Sequence, residues 1–204
     1  MSKESLIVGI AGVFFGVLVG WIIGSQQAVV PRAASPTTQQ SGSAPAQTAP
    51  PLDESRASAL RAAAARNPND AETRVQLGNL YFDAERFDEA SRWYEAALAT
   101  DPRNVNASTD LGISYYYMNQ PDRALAQFDR SLAIDPNHSK TLLNVGIVRA
   151  FGKQDLEGAT KAWQRVLEVA PTSPEARAAK QALDGVRSAH PTVGSAGSDS
   201  KPPD

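Results

Sequence analysis

The sequence predicts an all-α protein in which a solenoid of helix-turn-helix repeats follows one N-terminal transmembrane helix. Three observations support this fold class. A set of residues returns every 34 residues from Leu77 onward, no strand pattern is evident, and a long uncharged apolar run lies near the N-terminus. Together they predict a chain whose ordered parts are all helical.

The apolar run is the first element and is long enough to cross a membrane. Residues 6–23 carry no charge over 18 residues and would span about 27 Å as a helix. We therefore predict a retained anchor over residues 1–24. A cleaved signal peptide and a buried soluble helix are the alternatives, but the run exceeds a usual signal core and no convincing cleavage site follows it.

Flanking charge gives an orientation for this anchor. Lys3 and the amino terminus precede the apolar run, whereas Arg32 alone follows it closely, and positive residues favour the cytoplasmic side. In a bacterium this predicts a single-pass inner-membrane protein with its repeats in the periplasm. In a eukaryote the same layout would resemble a mitochondrial outer-membrane import receptor.

Within the predicted anchor, glycine recurs at every fourth residue. Such a track lets another helix approach closely in the bilayer and predicts homo-oligomerisation or pairing with another membrane protein. The alternative is that glycine is simply common in membrane helices. The track consists of Gly12, Gly16, Gly20 and Gly24.

Residues 25–52 form the next segment and are rich in Pro, Ala, Ser and Gln. Arg32 is their only charge, and prolines occur at 31, 36, 45, 50 and 51. A segment of this composition buries too little apolar surface to offset the entropy of ordering it. It is predicted to be a disordered linker that spaces the repeats from the membrane.

The repeats that follow are defined by small and aromatic residues at fixed spacing. The first copy contains Leu77, Gly78, Tyr81, Ala90, Tyr94, Ala97 and Pro102. The second contains Leu111, Gly112, Tyr115, Ala124, Phe128, Ser131 and Pro136. A looser third copy contains Val145, Gly146, Arg149, Ala159, Trp163, Val166 and Pro171, with one residue inserted within 153–157. Glycine and alanine permit close helix packing, and the ring fills the remaining space.

This 34-residue pattern resembles that of the tetratricopeptide repeat (TPR) family over residues 53–187. The resemblance implies repeats at about 71–104, 105–138 and 139–173. Helices are predicted on both flanks, at 53–66 as the second half of an incomplete repeat and at 174–187 as an amphipathic cap. The polar tail, 188–204, is predicted to be disordered.

Composition argues against catalysis and nucleic-acid binding. The chain has no cysteine, two histidines and a net charge of −2. No His, Cys, Asp or Glu grouping has metal-ligand spacing, and no glycine-rich phosphate loop follows a strand. A basic stripe suited to phosphates is absent from the sequence. We predict no catalytic residue, no metal, no cofactor and no nucleic-acid partner.

The resemblance instead implies a binding surface on the concave side of the solenoid. In the family, positions 2, 5, 9 and 12 of each repeat face this groove, and its apolar middle suits an amphipathic helix or extended peptide of a partner protein. The corresponding residues are Glu72, Val75, Asn79, Phe82, Asn106, Thr109, Ile113, Tyr116, Lys140, Leu143, Ile147 and Ala150.

One family activity can be tested on the sequence. Members that capture a chaperone's C-terminal carboxylate use Lys and Asn in the first repeat, Asn in the second, and Lys and Arg in the third. The corresponding positions hold Val75 and Asn79, then Asp110, then Lys140 and Asn144. Because Asp110 would repel a carboxylate, we predict that this chain is no carboxylate clamp.

The sequence therefore predicts a non-enzymatic, membrane-anchored adaptor or assembly factor. One alternative rests on Trp163, Leu167 and Pro171, whose setting resembles the C-terminal repeats of bacterial cytochrome c maturation proteins, which hold apocytochrome. Another is a self-associating membrane organiser that assembles through the glycine track. The identity of the partner is not encoded in the repeat pattern.

Overall fold

A computed structural model describes residues 49–189 of the protein. The predicted membrane helix with its glycine track, the linker up to residue 48 and the tail from residue 190 lie outside the described residues. Within 49–189, no helix is long and apolar enough to cross a bilayer.

Residues 49–189 contain eight α-helices and no strand, which confirms the predicted all-α solenoid. The helices are α1 (Glu54–Arg66), α2 (Ala71–Asp83), α3 (Phe87–Thr100), α4 (Val105–Tyr117), α5 (Pro121–Ile134), α6 (Ser139–Ile147), α7 (Leu156–Val169) and α8 (Pro174–Ala189). A π-helical turn, Val148–Gly152, continues α6. The pairs α2/α3, α4/α5 and α6/α7 are the three repeats, and each pair packs against the next along the chain.

Side chains at the helix starts explain where each element begins. The Asp70 carboxylate accepts the Thr73 amide at 3.1 Å, and Asn104 and Asp155 cap α4 and α7 in the same way. These caps satisfy amides that the first helical turn leaves without a partner. Pro121 stands in the first turn of α5, where its missing N–H costs nothing.

The turn inside each repeat uses one residue in the left-handed conformation. These residues are Glu85, Asn119 and Gln154, with φ between 56° and 58°. The distance along the chain from Asn119 to Gln154 is one residue longer than that from Glu85 to Asn119. The extra residue is taken up by the π-helical turn, in which the Lys153 amide donates to the Val148 carbonyl at 3.1 Å. The insertion thus lies somewhat earlier than the sequence predicts, because a wider helical turn absorbs one residue without breaking the chain of hydrogen bonds.

The core of each repeat is a ring packed against a glycine. Tyr94, Phe128 and Trp163 are among the most deeply buried side chains of the described chain. A Cβ atom added at Gly112 would lie only 2.5 Å from Phe128 Cε1, and Gly78 and Gly146 are equally close to their rings. The glycine and aromatic positions therefore pack as the repeat pattern predicts, and each ring contributes roughly 2–3 kcal/mol by burial.

Helices α1 and α8 close the two ends of the solenoid. Helix α1 buries Ala57 and Ala64, and Leu60 packs against the first core cluster. Helix α8 buries Ala176, Ala179 and Leu183 against α7 in a second cluster. Small side chains let both helices pack closely, as expected of terminal units that have a neighbour on one side only.

Candidate functional site

The candidate site is the surface of α2, α4 and α6, the first helices of the three repeats, which we call the first-helix surface. Side chains link these helices directly. Lys140 on α6 forms an ion pair with Asp110 on α4, and Tyr117 on α4 meets Phe82 on α2 edge-on, with ring centroids 5.6 Å apart. One continuous surface therefore crosses all three repeats.

The structure distributes the predicted groove residues over three levels of exposure. Exposed residues are Glu72, Asn79 and Asn106. Half-buried residues are Phe82, Ile113, Tyr116, Lys140, Leu143 and Ile147. Buried residues are Val75, Thr109 and Ala150. The exposed and half-buried residues are available to a partner, whereas the buried ones offer it almost no surface.

Thr109, a predicted groove residue at position 5 of the second repeat, lies in the interior. Its side chain is 0% exposed; its hydroxyl donates to the Val105 carbonyl at 2.8 Å and contacts the Thr141 hydroxyl at 2.7 Å. Val75 likewise belongs to the first core cluster and Ala150 to the second. These three residues pack in the interior of the solenoid and expose little side-chain surface.

Asn79 is exposed, but its side chain also supports the core of the first repeat. Its Oδ1 accepts a hydrogen bond from the Tyr94 hydroxyl at 2.8 Å. Burial raises the pKa of Tyr94, since the ring lies in the core of the first repeat. The amide thus satisfies a hydroxyl that would otherwise be buried without an acceptor.

One further residue in each repeat, at position 13, lies on this surface and is not among the predicted groove residues. They are Asp83, Tyr117 and Phe151, each four residues after a predicted groove position, so they lie on the same helical face. Phe151 is 39% exposed and is the one exposed large apolar side chain in the described chain. The four-residue helical spacing was the signal that could have found them.

Aromatic rings gather where the first and second repeats meet. Phe87 stacks on Tyr117 with centroids 4.5 Å apart, and Phe82 meets both rings edge-on at 5.1 and 5.6 Å. We call Phe82, Phe87 and Tyr117 the aromatic cluster. Such ring pairs add stability beyond their buried area. Phe82 directly precedes Asp83 in the chain.

The charges of the first-helix surface are unevenly compensated. Lys140 is held by Asp110, whose side chain is only 18% exposed. The pKa of Asp83 is raised, chiefly by partial burial and further by Asp110, while Arg56 opposes the shift. No cation lies within ion-pair distance of Asp83 in the described part of the chain. A carboxylate therefore remains open at the end of α2.

His138 joins the second and third repeats at one end of this surface. Its Nδ1 lies 2.7 Å from the Thr141 hydroxyl, and its Nε2 lies 3.1 Å from Asn106 Oδ1. Burial lowers the pKa of His138 and Lys140 adds to this, whereas the carboxylates of Asp110 and two further acidic residues oppose it. The contacts are those of an interface between repeats.

Chemistry of other kinds finds little support in residues 49–189. No group of three or more His, Asp or Glu side chains is arranged to hold a metal ion there. Trp163, which carries the likeness to cytochrome c maturation proteins, is buried, and its Nε1–H donates to the Leu143 carbonyl at 3.2 Å. Trp163 is thus a packing residue of the third repeat.

An open cleft of about 440 Å³ lies apart from the first-helix surface, between α3, α4 and α5. Its floor contains Ser108 and Gln127, and the Gln127 amide donates to the Ser108 hydroxyl at 2.8 Å. Ser131 donates to the same hydroxyl, also at 2.8 Å. The buried polar groups of the floor therefore satisfy one another.

Family models match the two central repeats. One described as TPR repeat covers residues 78–119, and one described as Tetratricopeptide repeat covers residues 106–138. Together the two models cover residues 78–138, and the eight described helices have the arrangement of a tetratricopeptide repeat solenoid. This fold is a protein–protein interaction domain, and nothing in these matches shows catalysis.

Solved structures give the same fold. The first TPR of Spaghetti (RPAP3) bound to the HSP90 peptide SRMEEVD is 28% identical over 58% of this chain and 91% of that chain, with a TM-score of 0.53. The first TPR domain of human RPAP3 is 28% identical over 62% and 96%, with a TM-score of 0.55. MamA, at 18% identity over 65% and 75% with a TM-score of 0.58, shares the fold alone. No curated protein matches the sequence.

Proposed function

We propose that this protein is a non-enzymatic, membrane-anchored adaptor or assembly factor that binds a segment of a partner protein on its first-helix surface. The observation that carries the proposal is a row of accessible apolar side chains on one face of α4 and α6. Ile113 and Ile147 are half-buried and Phe151 is exposed. Apolar side chains presented at helical spacing are the anchors that a bound helix or extended peptide uses.

The relative in complex with an HSP90 peptide supports a peptide as the ligand class, but the charges differ. The bound peptide, SRMEEVD, contains three acidic residues. Here Asp110 occupies the clamp position of the second repeat and already neutralises Lys140. A chaperone carboxylate would therefore meet Lys140, whose charge Asp110 already neutralises, on a surface that also carries the unpaired Asp83 carboxylate. We expect no binding of that peptide.

The N-terminal sequence supports an anchored arrangement. Residues 6–23 are apolar and uncharged, and the proline-rich residues 25–52 would let the solenoid reach away from the bilayer. Confinement near a membrane raises the effective concentration of a membrane-bound partner. We propose a bacterial inner-membrane location with a periplasmic solenoid.

This location can be tested because the chain contains no cysteine. A Ser43→Cys variant should be labelled in intact cells, after outer-membrane permeabilisation, by a maleimide that cannot cross the inner membrane. Labelling that occurs only after lysis would place the solenoid in the cytoplasm. Recovery of the chain in the soluble fraction would contradict the anchor itself.

The binding surface can be tested by charge insertion. The Ile147→Asp variant should lose the protein's cross-linked products in native membranes, because a carboxylate in the apolar row costs affinity. Ala126→Asp, an exposed change on α5, is the matched control and should keep them. Circular dichroism establishes that both variants fold. Unchanged products in Ile147→Asp would contradict the proposal, and products that contain only this protein would favour the self-associating organiser.

A further inference from the structure

The first-helix surface carries an apolar strip that the described fold leaves accessible. Ile113, Ile147 and Phe151 form it, and Tyr117 of the aromatic cluster follows Ile113 by four residues on the same face of α4. An occupant of this strip must present apolar side chains.

The cations on the elements that form this surface are all engaged. Lys140 pairs with Asp110, and Arg149 pairs with Asp155 at 2.7 Å. Lys153, just after the π-helical turn, pairs with Asp122 at 2.6 Å. Arg74 donates to two backbone carbonyls at the start of α2, those of Asp70 and Pro68. Helix α4 contains no lysine or arginine. No cation of α2, α4, α6 or the π-helical turn is left without a partner, whereas Arg103, in the turn before α4, is exposed and forms no ion pair in the described chain.

The acidic groups on the same surface are not matched in this way. Asp83 ends α2 without an ion pair, and Glu72 at the start of α2 is exposed and accepts only the Gln76 amide, at 3.3 Å. Glu85 follows Asp83 by two residues, is exposed, and acts electrostatically on Tyr117 of the aromatic cluster. Negative charge therefore borders the apolar strip at the first repeat.

We propose that the partner segment carries a lysine or arginine next to apolar side chains, an inference that rests on the proposed function and names the charge of its ligand. The apolar side chains cover Ile113, Ile147 and Phe151. The cation lies between the Asp83 carboxylate and the rings of the aromatic cluster. Carboxylates and ring faces both attract a cation, and a cation held near both gains from each. The preferred ligand is thus opposite in charge to the acidic peptide of the structural relative.

The test uses the purified full-length chain and a phage-displayed library of random 12-residue peptides as the probe. Enriched sequences should contain Lys or Arg within a few residues of Leu, Ile or Phe. A synthetic copy of one enriched peptide should bind about fivefold more weakly to the Asp83→Asn variant, as expected for loss of a solvent-accessible ion pair. Asp129→Asn, the same change at an exposed position on α5, is the matched control and should alter binding less than twofold.

The outcomes separate this inference from the proposed function. Enrichment of acidic peptides, or equal binding to wild type and Asp83→Asn, would overturn the cationic ligand. If such peptides still lost affinity for Ile147→Asp, the first-helix surface would stand as the binding site. Failure to enrich any peptide, or binding indifferent to Ile147→Asp, would overturn the proposed function together with the inference.

Discussion

Each repeat depends on one glycine that faces one aromatic ring. Gly112 is the clearest case, because the ring of Phe128 fills the place of a side chain and is fully buried. This arrangement could be predicted from the sequence, since glycine and ring return together at the repeat interval. The burial of Thr109 could not be predicted in this way, because it depends on contact with the Thr141 hydroxyl of the next repeat.

Replacement of Gly112 by alanine should therefore destabilise the protein. Overpacking against Phe128 costs ~1–3 kcal/mol, and the better helix propensity of alanine returns up to ~1 kcal/mol. We expect a net loss of about 1–2 kcal/mol in the free energy of unfolding, measured by urea denaturation. A second change, Phe128→Leu, should cost less in the Gly112→Ala background than in wild type. Strict additivity of the two changes would show that the clash is not the cause.

At the scale of elements, a histidine takes part in the contact between α4 and α6. His138 contacts Thr141 within α6 and Asn106 on α4, and burial lowers its pKa. The charges that act on it are Asp110 on α4, Lys140 on α6, Glu175 on α8 and Asp135 in the preceding turn. Burial therefore moves the pKa of His138 below the value near ~6.5 that an unperturbed histidine has.

The stability contributed by neutral His138 should be pH-dependent. Since its pKa is lower in the folded protein, the unfolded chain binds more protons as the pH falls, and stability is lost from about pH 6.5 downward. The urea midpoint of wild type should thus fall more between pH 7.5 and pH 5.5 than that of His138→Gln. His190→Gln removes the other histidine of the chain and is the control. An equal fall in wild type and His138→Gln would contradict this account.

At the scale of elements, the π-helical turn is a feature that could not be predicted from the repeat pattern. Counting residues shows that the third repeat has one extra, but spacing alone does not say which bonds change. The structure places the extra residue where the Asp155 amide reaches back to the Arg149 carbonyl, at 2.8 Å. The same turn contains Phe151, which is exposed and was not predicted as a surface residue.

For the whole molecule, the sequence establishes more about shape than about partner. The repeat interval predicted the solenoid, and the accessible apolar residues Ile113 and Ile147 were among the groove positions predicted from the family. Charge on the surface was harder to predict, because it depends on which ions pair across helices. Lys140 counts as a free cation in the sequence but is neutralised by Asp110 in the fold.

The most direct test of the central claim compares two photo-crosslinking sites in the full-length protein in native membranes. One photoreactive residue replaces Ile113 on the first-helix surface, and the other replaces Ala126 on α5. We predict that Ile113 captures a specific foreign protein, identified by mass spectrometry, and that Ala126 does not. Equal capture from both sites, or none from Ile113, would contradict a binding role for this surface.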